Sequence, residues 1–182
     1  TTVKLEEIKR LLLDEVAGQK VIIYSSFLTV IDYLEERLAG LKPDSQDKTS
    51  KPLKILRITG REDQEERNKN RKLFTESDDY NILLVTTAAV KALNLQAASI
   101  IICHDYPMTW GKLRQLVGRM VRIGSDHPMV SLICLIARDT VDQDMFDKLY
   151  HTQNDVEYII GALDKDKIIQ DQSSLDHTDF EK

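Results

Sequence analysis

Five short runs of the chain are apolar for most of their length: Lys20–Ser25, Leu53–Ile58, Asn81–Thr86, Ser99–Cys103 and Met129–Ala137. A strand with one wet face alternates apolar and polar residues, whereas a strand covered on both faces need not. Runs of this length and make-up therefore predict strands buried in a parallel sheet. Stretches of helical period lie between them. Leu5, Ile8, Leu11, Leu12 and Val16 recur along residues 3–17, with Gly18 as a stop. Phe27, Val30, Ile31, Leu34 and Leu38 repeat the pattern, and Gly40 closes it. Residues 62–74 predict a highly charged helix with Leu73 and Phe74 on its inner face. Residues 88–93 predict a short helical segment, 110–122 a further helix, and 141–161 the last. Thr140 is the N-cap of that last helix, with acids in its first turn. Strands alternating with helices define an α/β class, an open, mainly parallel sheet flanked by helices on both faces in three layers. Residues 41–52 are polar with two prolines and read as a surface loop.

With 42% of 182 residues hydrophobic, the chain can bury one sizeable core. Residues 1–162 are expected to form that domain. Residues 163–182 are polar and acidic with few apolar anchors, and are expected to be a flexible tail. The net charge of −5 argues against nucleic-acid binding by bulk electrostatics and leaves room for a local basic site. No apolar run approaches the roughly 18 residues that cross a bilayer, so no membrane partner is expected. Residues 1–16 are charged throughout, unlike a signal peptide. A location in the cytoplasm of a prokaryote or a virus-infected cell, or in a eukaryotic nucleus, is expected rather than secretion. Cys103 and Cys134 sit inside apolar runs and read as buried, reduced thiols, with a disulfide between them the less expected state. No Cys/His cluster has zinc spacing, so no metal site is expected. The chain opens on Thr1-Thr2-Val3 without methionine, and a fragment of a longer protein is expected.

Parallel sheets bind ligands at the carboxyl ends of their strands. Thr86 and Thr87, Asp105, and the 110–122 helix all follow predicted strand ends. The stretch Gln115–Ser125 carries the chemistry: Gln115, Arg119 and Arg122 fall on one helical face, and Gly118 would let a neighbouring backbone come close. Two permanently charged guanidinium forks beside an amide suit a phosphate chain. An isolated R-x-x-R is more often a solvated face, so the weight falls on the rest of the chain. Leu11-Leu12-Leu13-Asp14-Glu15 has the look of a magnesium-holding strand, but its helical period accounts for the apolar positions and no phosphate loop precedes it.

Several blocks, taken in order, resemble the C-terminal RecA-like domain of superfamily-two helicases, most of all the Swi/Snf-type DNA translocases. Lys20–Phe27 is similar to the family's first strand block. Arg57-Ile58-Thr59-Gly60 with Glu66-Arg67 and Phe74 resembles the second. Leu83–Thr87 leading to Leu93-Asn94-Leu95-Gln96-Ala97-Ala98 resembles the fifth helicase motif, and Gln115–Ser125 the sixth. Ile136–Asp142 and the helix after it resemble the closing strand and helix. The resemblance covers residues 3–160. It implies a RecA-like three-layer fold, and half of a motor in which two such domains close on one ATP. ATP and Mg would be held mainly by an N-terminal RecA-like partner domain of the same protein. Arg119 and Arg122 resemble the arginine fingers, placing charge on the γ-phosphate as its bond breaks. Gln115 would orient the phosphate or its water, Gly118 belongs to the same nucleotide-contacting motif, and Asn94 would meet the nucleotide and couple the domains. Thr86 and Thr87 would hold a nucleic-acid phosphate, double-stranded DNA being the expected substrate, or would simply cap strand ends.

One departure stands out. The fifth motif of the family usually carries an arginine and several glycines, and Thr87–Leu93 has neither. Alanine cannot replace a glycine that needs φ > 0, which bears on the nucleic-acid contact more than on the ATP contact. Lys91 offers a replacement phosphate contact, although an exposed helix lysine is the commoner outcome. Trp110 is expected to pack at a helix start rather than stack on a base, and His104 to be satisfied by backbone. No G-x-x-x-x-G-K-[ST] occurs in the 182 residues, so the chain alone is expected to be inactive. The competing expectation is a RecA-like module that has lost ATPase coupling and docks protein or nucleic acid, favoured by the altered fifth motif and the acidic balance. A nucleotide-sugar or mononucleotide-binding domain would need a Gly-rich strand–helix turn, which is absent.

Overall fold

The computed structural model describes residues 2–42, 52–90, 97–105, 116, 118 and 130–150. Among the described residues there are five strands: β1 (Val21–Ser25), β2 (Lys54–Ile58), β3 (Tyr80–Thr86), β4 (Ile100–Cys103) and β5 (Ser131–Cys134). They form one sheet in the order β2-β3-β1-β4-β5, and every pairing is parallel. The helices are α1 (Val3–Arg10), α2 (Leu28–Leu38), α3 (Gln64–Glu76), α4 (Thr87–Val90) and α5 (Val141–Tyr150).

Side chains alternate across the sheet, and each face has its own core. Val21 and Ile23 of β1, Ile82 and Leu84 of β3, and Ile100 and Ile102 of β4 pack with Leu5 and Ile8 of α1 and Ile31, Leu34 and Leu38 of α2. Ile22 and Tyr24, Leu83 and Val85, and Ile101 and Cys103 face the other way, against Phe74 of α3 and Leu116. β1 and β4 are buried throughout and β3 from Ile82 to Thr86, which is why their sequences show no alternation there. Each fully buried Leu or Ile contributes about 1.5–3 kcal/mol relative to an exposed one, so this double core dominates stability.

The ends of the elements follow local chemistry. The Thr2 hydroxyl accepts from Leu5 N, and the Asp63 carboxylate accepts from Glu66 N. Lys20 Nζ donates to the carbonyls of Phe74 and Thr75, closing the carboxyl end of α3. Thr140 is the N-cap of α5, its Oγ1 accepting from Asp142 N at 3.2 Å. Gly18 and Gly40 stop their helices with φ of 77° and 75°.

Three expectations are corrected. The 3–17 helix does not stay α: Leu11–Glu15 is a π-turn closed by Val16 N to Leu11 O at 2.9 Å. The wider turn keeps Leu11, Leu12 and Val16 buried, as the periodicity requires. Asp14 and Glu15 lie on this turn, Glu15 paired to Arg10, so they are no metal-holding strand. The last strand spans four residues rather than nine and lies at a sheet edge, its side chains half-buried or exposed instead of covered on both faces. The short helix after β3 starts at Thr87, immediately at the strand end. Leu116 and Gly118 are helical, as predicted. The proposed 163–182 tail and the continuation of α5 beyond residue 150 lie outside the described residues.

Candidate functional site

Parallel register sets the carboxyl edge. Ser25 of β1 pairs with Thr86 of β3, and Tyr24 pairs with Cys103 of β4. The His104 amide then donates to Tyr24 O at 2.9 Å, which brings Asp105 out beside Ser25. The Ser25 hydroxyl and the Ser26 amide both donate to the Asp105 carboxylate, the latter at 2.8 Å. Burial pushes the Asp105 carboxyl up, and polar contacts from His104, Ser25 and Ser26 outweigh it, holding the group below the ordinary carboxylate range. Asp105 is thus a buried anionic fastener between the ends of β1 and β4.

His104 departs from expectation. Its backbone is satisfied, the amide by Tyr24 O and the carbonyl by Lys4 Nζ at 2.7 Å. Its buried ring Nδ1 has no hydrogen-bond partner among the described residues, and stands 3.6 Å from Asp105 Oδ1. That is a long polar contact rather than a formed hydrogen bond.

Beside this fastener runs an open groove of about 430 Å³, lined by Ser26, Leu28, Gly60, Arg61, Thr86, Thr87 and Ala88. It draws on the ends of β1, β2 and β3 and the start of α4. The Tyr24 hydroxyl lies 2.7 Å from Thr87 Oγ1 and 3.1 Å from Ser26 Oγ. Either hydroxyl of the Tyr24–Thr87 pair can donate to the other. Thr86 is buried at the strand end, and Thr87 is half-buried. A Cβ on Gly60 would meet the Ala88 Cβ at 3.5 Å, so the turn after β2 lies against α4. Thr87–Val90 is helical, and among the described non-glycine residues only Asp139 has positive φ. Ala88 and Ala89 therefore occupy positions where glycine is not required.

The turn after β2 is held by a buried carboxylate. Glu62 accepts from Thr59 N at 2.6 Å and from Thr59 Oγ1 at 3.0 Å. Arg57 Nε lies 3.3 Å from Glu62, and its Nη1 lies 2.9 Å from Glu35 and 3.4 Å from Asp32. Burial opposes the Arg57 charge, but Glu35, Glu62 and Asp32 outweigh it and raise its pKa. Arg61 reaches Asp32 at 3.2 Å. Ser25, Ser26, Arg61 and Glu62 were not among the sequence candidates. The Ser25-Ser26 pair at a strand end and a charged pair after Thr59-Gly60 were the available signals.

Of the sequence-derived site residues, the fold brings Thr86 and Thr87 together on this groove. Gly118 is helical and exposed, and nothing among the described residues lies within 4 Å of a Cβ built on it. Lys91, Asn94, Trp110, Gln115, Arg119 and Arg122 lie outside the described residues. Among the described residues no three His, Cys, Asp or Glu side chains cluster as metal ligands, and no helix is long and apolar enough to cross a membrane.

Residues 3–124 match the helicase conserved C-terminal domain. The chain belongs to that family. This helicase C-terminal domain has a RecA-like α/β fold and is of the superfamily-two, Swi/Snf-like type. It is 28% identical over 131 residues, 72% of the chain, to chromodomain-helicase-DNA-binding protein 1-like of Danio rerio. It is 29% identical over 83 residues, 46% of the chain, to the uncharacterized ATP-dependent helicase YqhH of Bacillus subtilis (strain 168). The matched parts make up 12% and 15% of those relatives. Among solved structures, the C-terminal part of the Fun30 ATPase domain superposes with a TM-score of 0.65 at 26% identity, covering 79% of this chain and 42% of that one. The Pyrococcus furiosus Hef helicase domain shares the fold, with a TM-score of 0.59 at 17% identity, covering 81% and 28%.

Proposed function

We propose that this helicase C-terminal domain is the second motor half of an ATP-dependent translocase on double-stranded DNA. Arg119 and Arg122 act as arginine fingers on an ATP held, with its Mg, by an N-terminal RecA-like domain of the same protein. Gln115 and Asn94 contact the nucleotide side, Gly118 belongs to the same motif, and Thr86 and Thr87 contact a nucleic-acid phosphate, with Lys91 close behind in sequence. The observation that carries the reading is the carboxyl edge. There Ser26, Gly60, Thr86 and Thr87 share one open groove, and the segment bearing both arginines lies in sequence between the edge-forming end of β4 and the start of β5. Parallel sheets of this class place ligands at that edge. The names of two relatives, one DNA-binding and one ATP-dependent, point the same way.

The 182 residues contain no phosphate loop. The domain supplies charge to a transition state whose phosphates another domain cradles. The test is ATP turnover by the purified chain with saturating duplex DNA, beside the parent protein. The parent is expected to turn over and the chain alone to show none; turnover by the chain alone overturns the proposal.

A further inference from the structure

We propose that Arg61 is a phosphate-binding cation of the carboxyl-edge groove, and that Asp32 is the carboxylate that holds it in reserve until a DNA phosphate displaces it. The inference rests on the reading of this groove as a nucleic-acid surface and adds a residue pair and a device to it.

Arg61 stands on a rigid turn. Its amide donates to Thr59 Oγ1 at 3.2 Å, and the same hydroxyl is held by the buried Glu62 carboxylate. The turn abuts α4 through Gly60 and Ala88, so the Arg61 side chain starts from a fixed point on the groove wall. The side chain itself is loosely held. It is 56% exposed, and among the described residues its side chain meets Asp32, with Nη1 3.2 Å from Oδ2 and 3.5 Å from Oδ1. Among the described residues one guanidinium nitrogen is engaged, which leaves the rest of the fork for a bidentate partner. Asp32 is 39% exposed and is also reached by Arg57 Nη1 at 3.4 Å.

An exposed pair of this kind adds little to stability, whereas a bidentate arginine–phosphate contact is charge-assisted through two hydrogen bonds. Arg61 can therefore leave Asp32 for a phosphate at little cost, and Asp32 keeps Arg57 as a partner when it does. The remaining group has three carboxylates, Asp32, Glu35 and Glu62, around one arginine. That surplus of negative charge near the groove wall opposes a phosphate and pulls Arg61 back when the phosphate leaves. A domain that must release and rebind a strand gains a weak, resettable contact in this way.

The test measures binding of the parent protein to a fluorescent duplex DNA of mixed sequence across a potassium chloride series, with a matched duplex RNA arm. Arg61→Ala is expected to weaken DNA binding and to lower the salt slope by about 0.9, one phosphate contact. Asp32→Asn is expected to tighten binding several-fold with the slope kept. In the Arg61→Ala background the Asp32→Asn gain is expected to shrink, because the carboxylate then has no fork to retain. Both positions are partly exposed, and unchanged melting temperatures confirm folding. If Thr87→Ala weakens binding while Arg61→Ala changes neither affinity nor slope, the inference fails and the groove stands. If neither substitution matters, the groove reading fails with it. If RNA alone shows the Arg61 slope change, the DNA assignment is overturned.

Discussion

At the scale of single residues, buried charge is placed where strands end. Asp105 takes hydrogen bonds from Ser25 and Ser26 and links the tips of β1 and β4. Its folded pKa lies below the ordinary value near 3.9. The stability it contributes is therefore complete above about pH 4 and is lost as pH falls through the folded pKa. Asp105→Asn is expected to cost about 1–3 kcal/mol at pH 7 and to flatten the loss of stability on acidification. Urea unfolding at pH 7 and at pH 3 measures both, and parallel pH curves for the two proteins contradict the account. The place of Thr86 and Thr87 on the groove was legible because a strand end announces itself where an apolar run stops. The Arg61–Asp32 pair was not. Its members are 29 positions apart, on α2 and on the turn after β2, and only the folded arrangement brings them within 3.2 Å.

At the scale of elements, burial on both faces explains what the sequence disclosed and what it hid. β1 and β4 are buried end to end and β3 is buried from Ile82 to Thr86, so their apolar runs marked them plainly. β5 ran long in the sequence reading because Met129–Ala137 is rich in apolar residues, yet pairing stops at Cys134 on a sheet edge. The π-turn was hidden because a helical period does not separate i→i+4 from i→i+5 bonding over one turn. Leu34 sits fully buried in α2 between that helix and the sheet. Leu34→Ala is expected to cost about 2–5 kcal/mol, read as a shift of the urea midpoint. Cys103 and Cys134 are register partners on neighbouring strands, and both are free. The neighbouring Cys134 sulfur and burial push the Cys103 thiol well up. Iodoacetamide is expected to modify half-buried Cys134 first in the native protein and Cys103 only on unfolding, as mass spectrometry of timed samples will show. Equal native rates contradict the packing described.

At the scale of the whole molecule, a parallel sheet gathers the ends of separate strands on one edge, and family membership says what such an edge belongs to. The order β2-β3-β1-β4-β5 places β1 centrally, with Ser25 and Ser26 between the Thr86 side and the Asp105 side. The groove and the buried fastener thus lie on either side of one strand tip. The class and the edge were readable from alternating strands and helices. The groove's outline was not, because it depends on which strands become neighbours. The central claim is that this domain contributes transition-state charge to an ATP it does not hold. Its most direct test is ATP turnover and ATP affinity of the parent protein carrying Arg119→Ala or Arg122→Ala. The account predicts a loss of turnover on the order of 10³–10⁵-fold for a true finger, with ATP still bound. Wild-type turnover in both variants would contradict it.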